Sequence, residues 1–122
     1  MPKVFVEYRR ELEPWLPLLA QLLPTAVAEA LSVPATEAEL RPSEVEVRFQ
    51  EIGPNDVTQG YDVMVIVFAN EYPEREEILD EASAALAARV VGCIHTPVGD
   101  TPVKRTKGHV WITLVKGAFT EW

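Results

Sequence analysis

The residue of this chain best suited to chemistry is Pro2, followed by Lys3-Val-Phe-Val-Glu-Tyr8, which alternates as a strand. Initiator methionine is usually removed ahead of so small a residue, and Pro2 would then open the mature chain with a free secondary amine. An α-amino group ionises near pH 8, and burial or cationic neighbours lower that value by desolvating or repelling the protonated form. Such an amine could act as a general base near neutral pH. A plainer role is also open to it, since proline is at home at the first position of an edge strand. The other reactive residue types are poorly arranged. His95 and His109 lie far apart with no Cys or carboxylate in zinc-ligand spacing, so no metal site is expected. Cys93 is alone, which rules out an internal disulfide or a thiolate cluster. Ser32, Ser43 and Ser83 have no obvious base, and no phosphate loop, dinucleotide fingerprint or nucleophile elbow occurs, so no cofactor is expected.

Charge limits the partners. With 11 Lys and Arg against 19 Asp and Glu, the net charge is −8, and no broad basic surface exists to neutralise phosphates. Nucleic acid and anionic membrane are therefore excluded as expected partners. A small anionic substrate would have to be gripped by a few local cations against an unfavourable overall field. The 122 residues, 48% hydrophobic, fit one domain spanning 1–122 with a sizeable core. The N-terminus lacks the features of a signal peptide, and no apolar run approaches the ~20 residues of a membrane span. A cytoplasmic protein is expected.

The elements that would position Pro2 come in two similar halves, 2–52 and 61–116. A strand over Lys3–Arg9 precedes a helix whose apolar stripe runs Trp15, Leu18, Leu19, Leu22, Leu23, Ala26, Val27 and Ala30. Pro14 and Pro17 suit its first turn, and Pro24 should kink it. Thr36-Glu37-Ala38-Glu39 has capping-box spacing and predicts one helical turn. Val45–Ile52 alternates strictly as a half-buried strand, and Gly53-Pro54-Asn55-Asp56 supplies turn chemistry. Tyr61–Ala69 is almost continuously apolar, as expected of a central strand covered on both faces. Pro73 opens a second helix with stripe Ile78, Ala82, Leu86 and Val90, stopping at Gly92. A loop over Ile94–Gly108 leads to a fourth strand, His109–Val115, and a tail with Phe119 and Trp122. The order β-α-β, β-α-β predicts an α/β (α+β) fold. One form is a four-stranded mixed sheet with two helices on one face, in which each unit has neighbouring parallel strands. The alternative is a ferredoxin-like sandwich whose crossovers skip a strand, and periodicity does not separate the two.

A proline after Met that opens a strand, in a chain of this length with a duplicated β-α-β plan, resembles the tautomerase superfamily, typified by macrophage migration inhibitory factor and carboxymethyl-hydroxymuconate isomerase. The resemblance implies that Pro2 is the base or acid moving a proton between carbon and oxygen of an enol–keto pair. It implies that Arg41, just before the second strand, or Arg48, on that strand's polar face, holds a substrate carboxylate. Asn70, at the end of the third strand, would fall beside the proline, and Trp111 with Thr113 would line a neighbouring subunit's pocket. A homotrimer follows, with the tail adding to a neighbour. Asn70-Glu71-Tyr72-Pro73-Glu74 departs from the arginines that the dehalogenase and decarboxylase branches carry there, with Arg75 already inside an acidic helix start. Lys104, Arg105 and Lys107 are the substitutes if their loop folds over the pocket. The expected function is a tautomerase acting on a small, carboxylate-bearing keto or enol acid. The alternatives are a non-catalytic oligomeric scaffold or small-molecule-binding protein of the same fold, and a ferredoxin-like dimeric module that binds a small effector.

Overall fold

Alternation of Val4, Val6 and Tyr8 with Lys3, Phe5 and Glu7 makes Lys3–Tyr8 a strand with one apolar side, and in the computed structural model it is β1. The structure describes residues 2–102, 105–118 and 120–122. After a 3-10 segment at Arg10–Trp15 come α1 (Leu16–Leu31), a second 3-10 turn at Pro42–Glu44, and β2 (Glu46–Glu51). The second half contains β3 (Val63–Asn70), α2 (Pro73–Glu77), α3 (Leu79–Ile94) and β4 (Gly108–Val115). The strand order is β2-β1-β3-β4. β1 runs parallel to β2 with Lys3 opposite Glu46, and β3 runs parallel to β4 with Val63 opposite Gly108. The halves join through the antiparallel β1–β3 pair, Lys3 opposite Phe68. Each helix therefore connects adjacent parallel strands without skipping one, which sets the ferredoxin-like alternative aside.

Both long helices cover the same face. Leu19, Leu23 and Val27 of α1 and Leu86, Val90 and Ile94 of α3 close over Val4, Val6, Val65 and Val67 in one buried cluster. Burying side chains of this size stabilises by roughly 1.5–3 kcal/mol each before the entropy of ordering them is counted. Trp15 lies beneath the same cluster, and its indole N–H donates to Thr96 O at 2.7 Å.

Several expectations are corrected. β3 is not covered on both faces: Val63, Val65, Val67 and Ala69 are buried, while Met64, Ile66 and Phe68 point to an uncovered side where Phe68 is 39% exposed. The reason is that α1 and α3 share one face. Thr36–Glu39 closes as a single turn, with the Glu39 N–H donating to Thr36 O at 3.2 Å and Thr36 Oγ1 accepting the Ala38 N–H at 3.1 Å, and winds no further into helix. β1 stops at Tyr8, one residue short of Arg9, whose N–H donates to Asp62 O. Pro24 lies inside α1 as expected, and the carbonyl left without a donor belongs to exposed Ala20, where water can satisfy it. The second helix is divided at Ile78, and Gly92 does not end it. α3 continues to Ile94, whose burial outweighs the cost of about 1 kcal/mol for glycine in a helix. β4 begins one residue early, at Gly108 opposite Val63, where the close approach demands glycine: a Cβ there would lie 2.6 Å from Val63 Cγ1 and 2.7 Å from Val63 O. No described helix is long and apolar enough to cross a membrane.

Candidate active site at the start of β1

Pro2 immediately precedes β1 and is almost wholly buried, on the helix-covered side that it shares with Val4 by strand alternation. Its carbonyl accepts the Glu46 N–H at 3.1 Å, which carries the parallel ladder one step past the strand. Continued one position, the antiparallel register sets Pro2 opposite Ala69. The end of β3, Phe68-Ala69-Asn70, thus falls beside the proline.

Arg41 stands at the same end. Its backbone N–H donates to Glu44 Oε1 at 3.2 Å, and Glu44 N–H returns a bond to Arg41 O at 3.0 Å. This closed turn delivers the chain directly into β2 beside Pro2. The Arg41 side chain is exposed and makes no ion pair among the described residues.

Arg48 and Trp111 are placed differently. They end one cross-strand row, Arg48–Phe5–Ile66–Trp111, on the uncovered face of the sheet. Trp111 is 62% exposed there, and Phe5 packs edge-on against Phe68 with ring centroids 5.8 Å apart. Three strand spacings, roughly 14 Å, separate the ends of the row. Within one protomer, Arg48 and Trp111 meet neither each other nor the ring of Pro2. Asn70 lies at the Pro2 end, and its carbonyl is engaged by a buried arginine.

That arginine is Arg75, the one charged side chain buried among the described residues, at 3% exposure. Its Nε donates to Leu31 O at 3.3 Å, Nη1 to Asn70 O at 3.1 Å and Nη2 to Ala38 O at 3.2 Å. The guanidinium carbon also lies 5.0 Å from the centre of the Tyr72 ring. Three backbone carbonyls and an aromatic face take the place of a carboxylate, and no ion pair to Arg75 occurs among the described residues. Burial lowers its pKa, with Tyr72 and Glu44 opposing, yet an arginine so far above neutrality stays charged. One signal in the sequence pointed to it. It is the lone cation in the acidic stretch Glu71–Glu81.

The basic loop before β4 lies at the other end of the sheet. Lys107 N–H donates to Asp62 Oδ2 at 2.9 Å, Asp62 N–H donates to Lys107 O at 2.7 Å, and the Lys107 ammonium sits 4.9 Å from the Tyr61 ring centre. Asp62 also pairs with Arg9 at 3.2 Å. The length of β1, roughly 20 Å, separates this cluster from Pro2 within a protomer. Within one protomer Lys107 is therefore remote from Pro2, and Lys104 and Phe119 lie outside the described residues. Cys93 is half-buried, and burial pushes its thiol up, away from the reactive thiolate. No group of three His, Cys, Asp or Glu side chains gathers as a metal site among the described residues.

No protein-family model matches the sequence, and no curated protein sequence matches it significantly. Solved structures do match the fold. Macrophage migration inhibitory factor of Toxoplasma gondii aligns over 98% of this chain and 93% of its own, with TM-score 0.57 and 16% identity. The F6 fused 4-OT, an asymmetric trimer, aligns over 93% of this chain and 86% of its own, with TM-score 0.59 and 16% identity. Pt0534 inactivated by 2-oxo-3-pentynoate covers 93% and 85%, with TM-score 0.60 and 16% identity. The chain has the tautomerase fold.

Proposed function

We propose that this chain is a tautomerase in which the amine of Pro2, freed by removal of Met1, moves a proton in a small keto or enol acid. The observation that carries this reading is a buried proline at the start of β1, tied to β2 through its own carbonyl and flanked by the end of β3, in a tautomerase fold. Pro2 would abstract a proton from one site of the substrate and return it to another, the ordinary work of a positioned base. Arg41, exposed at the rim of that end, would hold the carboxylate and steady the developing enolate. Arg48 and Trp111 would join the site only across a subunit boundary, because they occupy the uncovered face.

Assembly into a homotrimer belongs to the same reading. Phe5, Phe68 and Trp111 form an exposed apolar face, β2 and β4 are open edges, and Trp122 is fully exposed. Two fused 4-OT neighbours are trimers. Light scattering should give three times the 13.6-kDa chain mass; a stable monomer at micromolar concentration would remove any pocket shared between subunits.

Three measurements test the chemistry. Intact mass should lack one methionine. Phenylenolpyruvate ketonisation should fall on the order of a hundredfold or more in Pro2→Ala. The parent should gain a covalent adduct from 2-oxo-3-pentynoate that Pro2→Ala gains far more slowly. Equal ketonisation rates in parent and variant would sink the assignment and leave the non-catalytic scaffold. That alternative draws on the engagement of Arg75 by backbone carbonyls, which leaves this end of the sheet with one fewer guanidinium for a substrate.

A further inference from the structure

We propose that Arg75 is a positioning residue for Pro2: its buried guanidinium fixes the end of β3 beside the proline and, through its charge, keeps the amine deprotonated near neutral pH. The inference rests on the reading of Pro2 as the base. Arg75 reaches into the interior to bind Leu31 O, Ala38 O and Asn70 O, so one side chain fastens the end of α1, the following loop and the end of β3. Asn70 is the residue after Ala69, which the register sets opposite Pro2. One strand spacing, one residue step and one hydrogen bond put the guanidinium roughly 10 Å from the Pro2 nitrogen.

The other charges at this end act less strongly on the amine. Lys3 and Glu46 neutralise each other at 3.7 Å. Arg41, Glu71, Glu76 and Lys116 reach solvent, and Glu44 is half-exposed with its carboxylate accepting the Arg41 N–H. Water and salt screen exposed charges over about 8 Å at physiological ionic strength. Arg75 is shielded from both by burial and, among the described residues, has no carboxylate partner to cancel it. At an effective dielectric near 20, a unit charge roughly 10 Å away opposes a second positive charge by about one pH unit of ionisation. Glu44, Glu71 and Glu76 would raise the amine midpoint; the buried cation, acting through the interior, outweighs them.

The test follows the Pro2 amine directly, by NMR titration of protein labelled with 15N-proline. The parent midpoint should lie clearly below the ordinary value of about 8 and stay there in 1 M NaCl, where exposed charges fade. Arg75→Met, shown folded by circular dichroism, should raise the midpoint by about one pH unit, and Arg75→Lys, which keeps the charge, should hold it within about 0.3 of the parent. The pH–rate profile for ketonisation should move by the same amount. A merely structural arginine would lower stability in both variants and leave the midpoint in place, and that outcome overturns the inference. If Arg75→Met does not fold, the parent decides: a midpoint near 8, or one that rises to 8 in 1 M salt, refutes the buried cation. Retained Met1 would sink Pro2 as base and this inference together, whereas removed Met1 with an unshifted midpoint sinks the inference alone.

Discussion

The two ends of the sheet hold positive charge in opposite ways. At the end where β1 finishes, Arg9 meets Asp62 at 3.2 Å with both side chains about a third or more exposed, and Lys107 closes the same knot through its backbone. At the end where β1 begins, Arg75 is almost wholly buried and, among the described residues, hydrogen-bonded to neutral carbonyls alone. An exposed pair is screened and contributes little. A buried, unpaired cation is costly to desolvate and needs a full set of acceptors. The first arrangement latches a loop, while the second sets a field inside the protein and lies beside the candidate base.

The contrast predicts unequal costs. Arg75→Ala frees three buried or half-buried carbonyls at once and should lower stability by about 3 kcal/mol, read from urea unfolding. A loss under about 1 kcal/mol would mean that water takes over those carbonyls. Arg41→Ala should weaken turnover of a carboxylate substrate by about ten- to a hundredfold and spare its ester, as expected for one charge-assisted hydrogen bond. Arg48→Ala should do the same if it faces a neighbour's pocket. If neither variant changes the preference for carboxylate over ester, both assignments fail. At the opposite end, Asp62→Asn should cost only about 0.5–1 kcal/mol, and the difference from the parent should vanish in 1 M salt.

The smallest effect is a pH dependence. Burial, reinforced by the negative charges of Glu13 and Glu51, raises the Tyr8 phenol above its ordinary pKa. A raised value in the folded state means that the folded chain keeps its proton where the unfolded chain has lost it. The contribution is therefore complete below about pH 10 and is lost as pH rises through the folded value. Thermal melts of the parent should fall more steeply above pH 10 than those of Tyr8→Phe; parallel curves would remove Tyr8 from the account.

Much of the fold was legible because alternation and three-to-four spacing are direct consequences of strand and helix geometry. The strand over Val45–Ile52, observed as Glu46–Glu51, the stripe from Trp15 to Val27 and the duplicated plan can all be read in this way. Strand adjacency could not, since a β-α-β order is compatible with either crossover, and only the pairing of Lys3 with Glu46 distinguishes them. The apolar run Val63–Phe68 suggested two covered faces because a sequence does not say whether a second cover comes from the same chain. Pro2, Arg41 and Asn70 were placed at one end by resemblance, and the register brings them there. Arg75 is not legible as a buried residue, because its acidic neighbours predict a solvated helix start. Its role depends on the carbonyls of Leu31 and Ala38, some forty residues away, which no local pattern reveals.

The bond from Glu46 N–H to Pro2 O has a consequence for how the site would fail. Chain ends ordinarily fray, and a nitrogen on a frayed end spends little of its time at any one place. Here the same residue that would supply the nitrogen is clasped by the neighbouring strand through its carbonyl. Loosening the start of β2 would therefore blur the aim of the amine while the helices and the rest of the sheet stay intact. Amide hydrogen exchange at Glu46 becomes a gauge of readiness: its protection should track turnover across variants of the 41–46 turn even where melting temperature does not change.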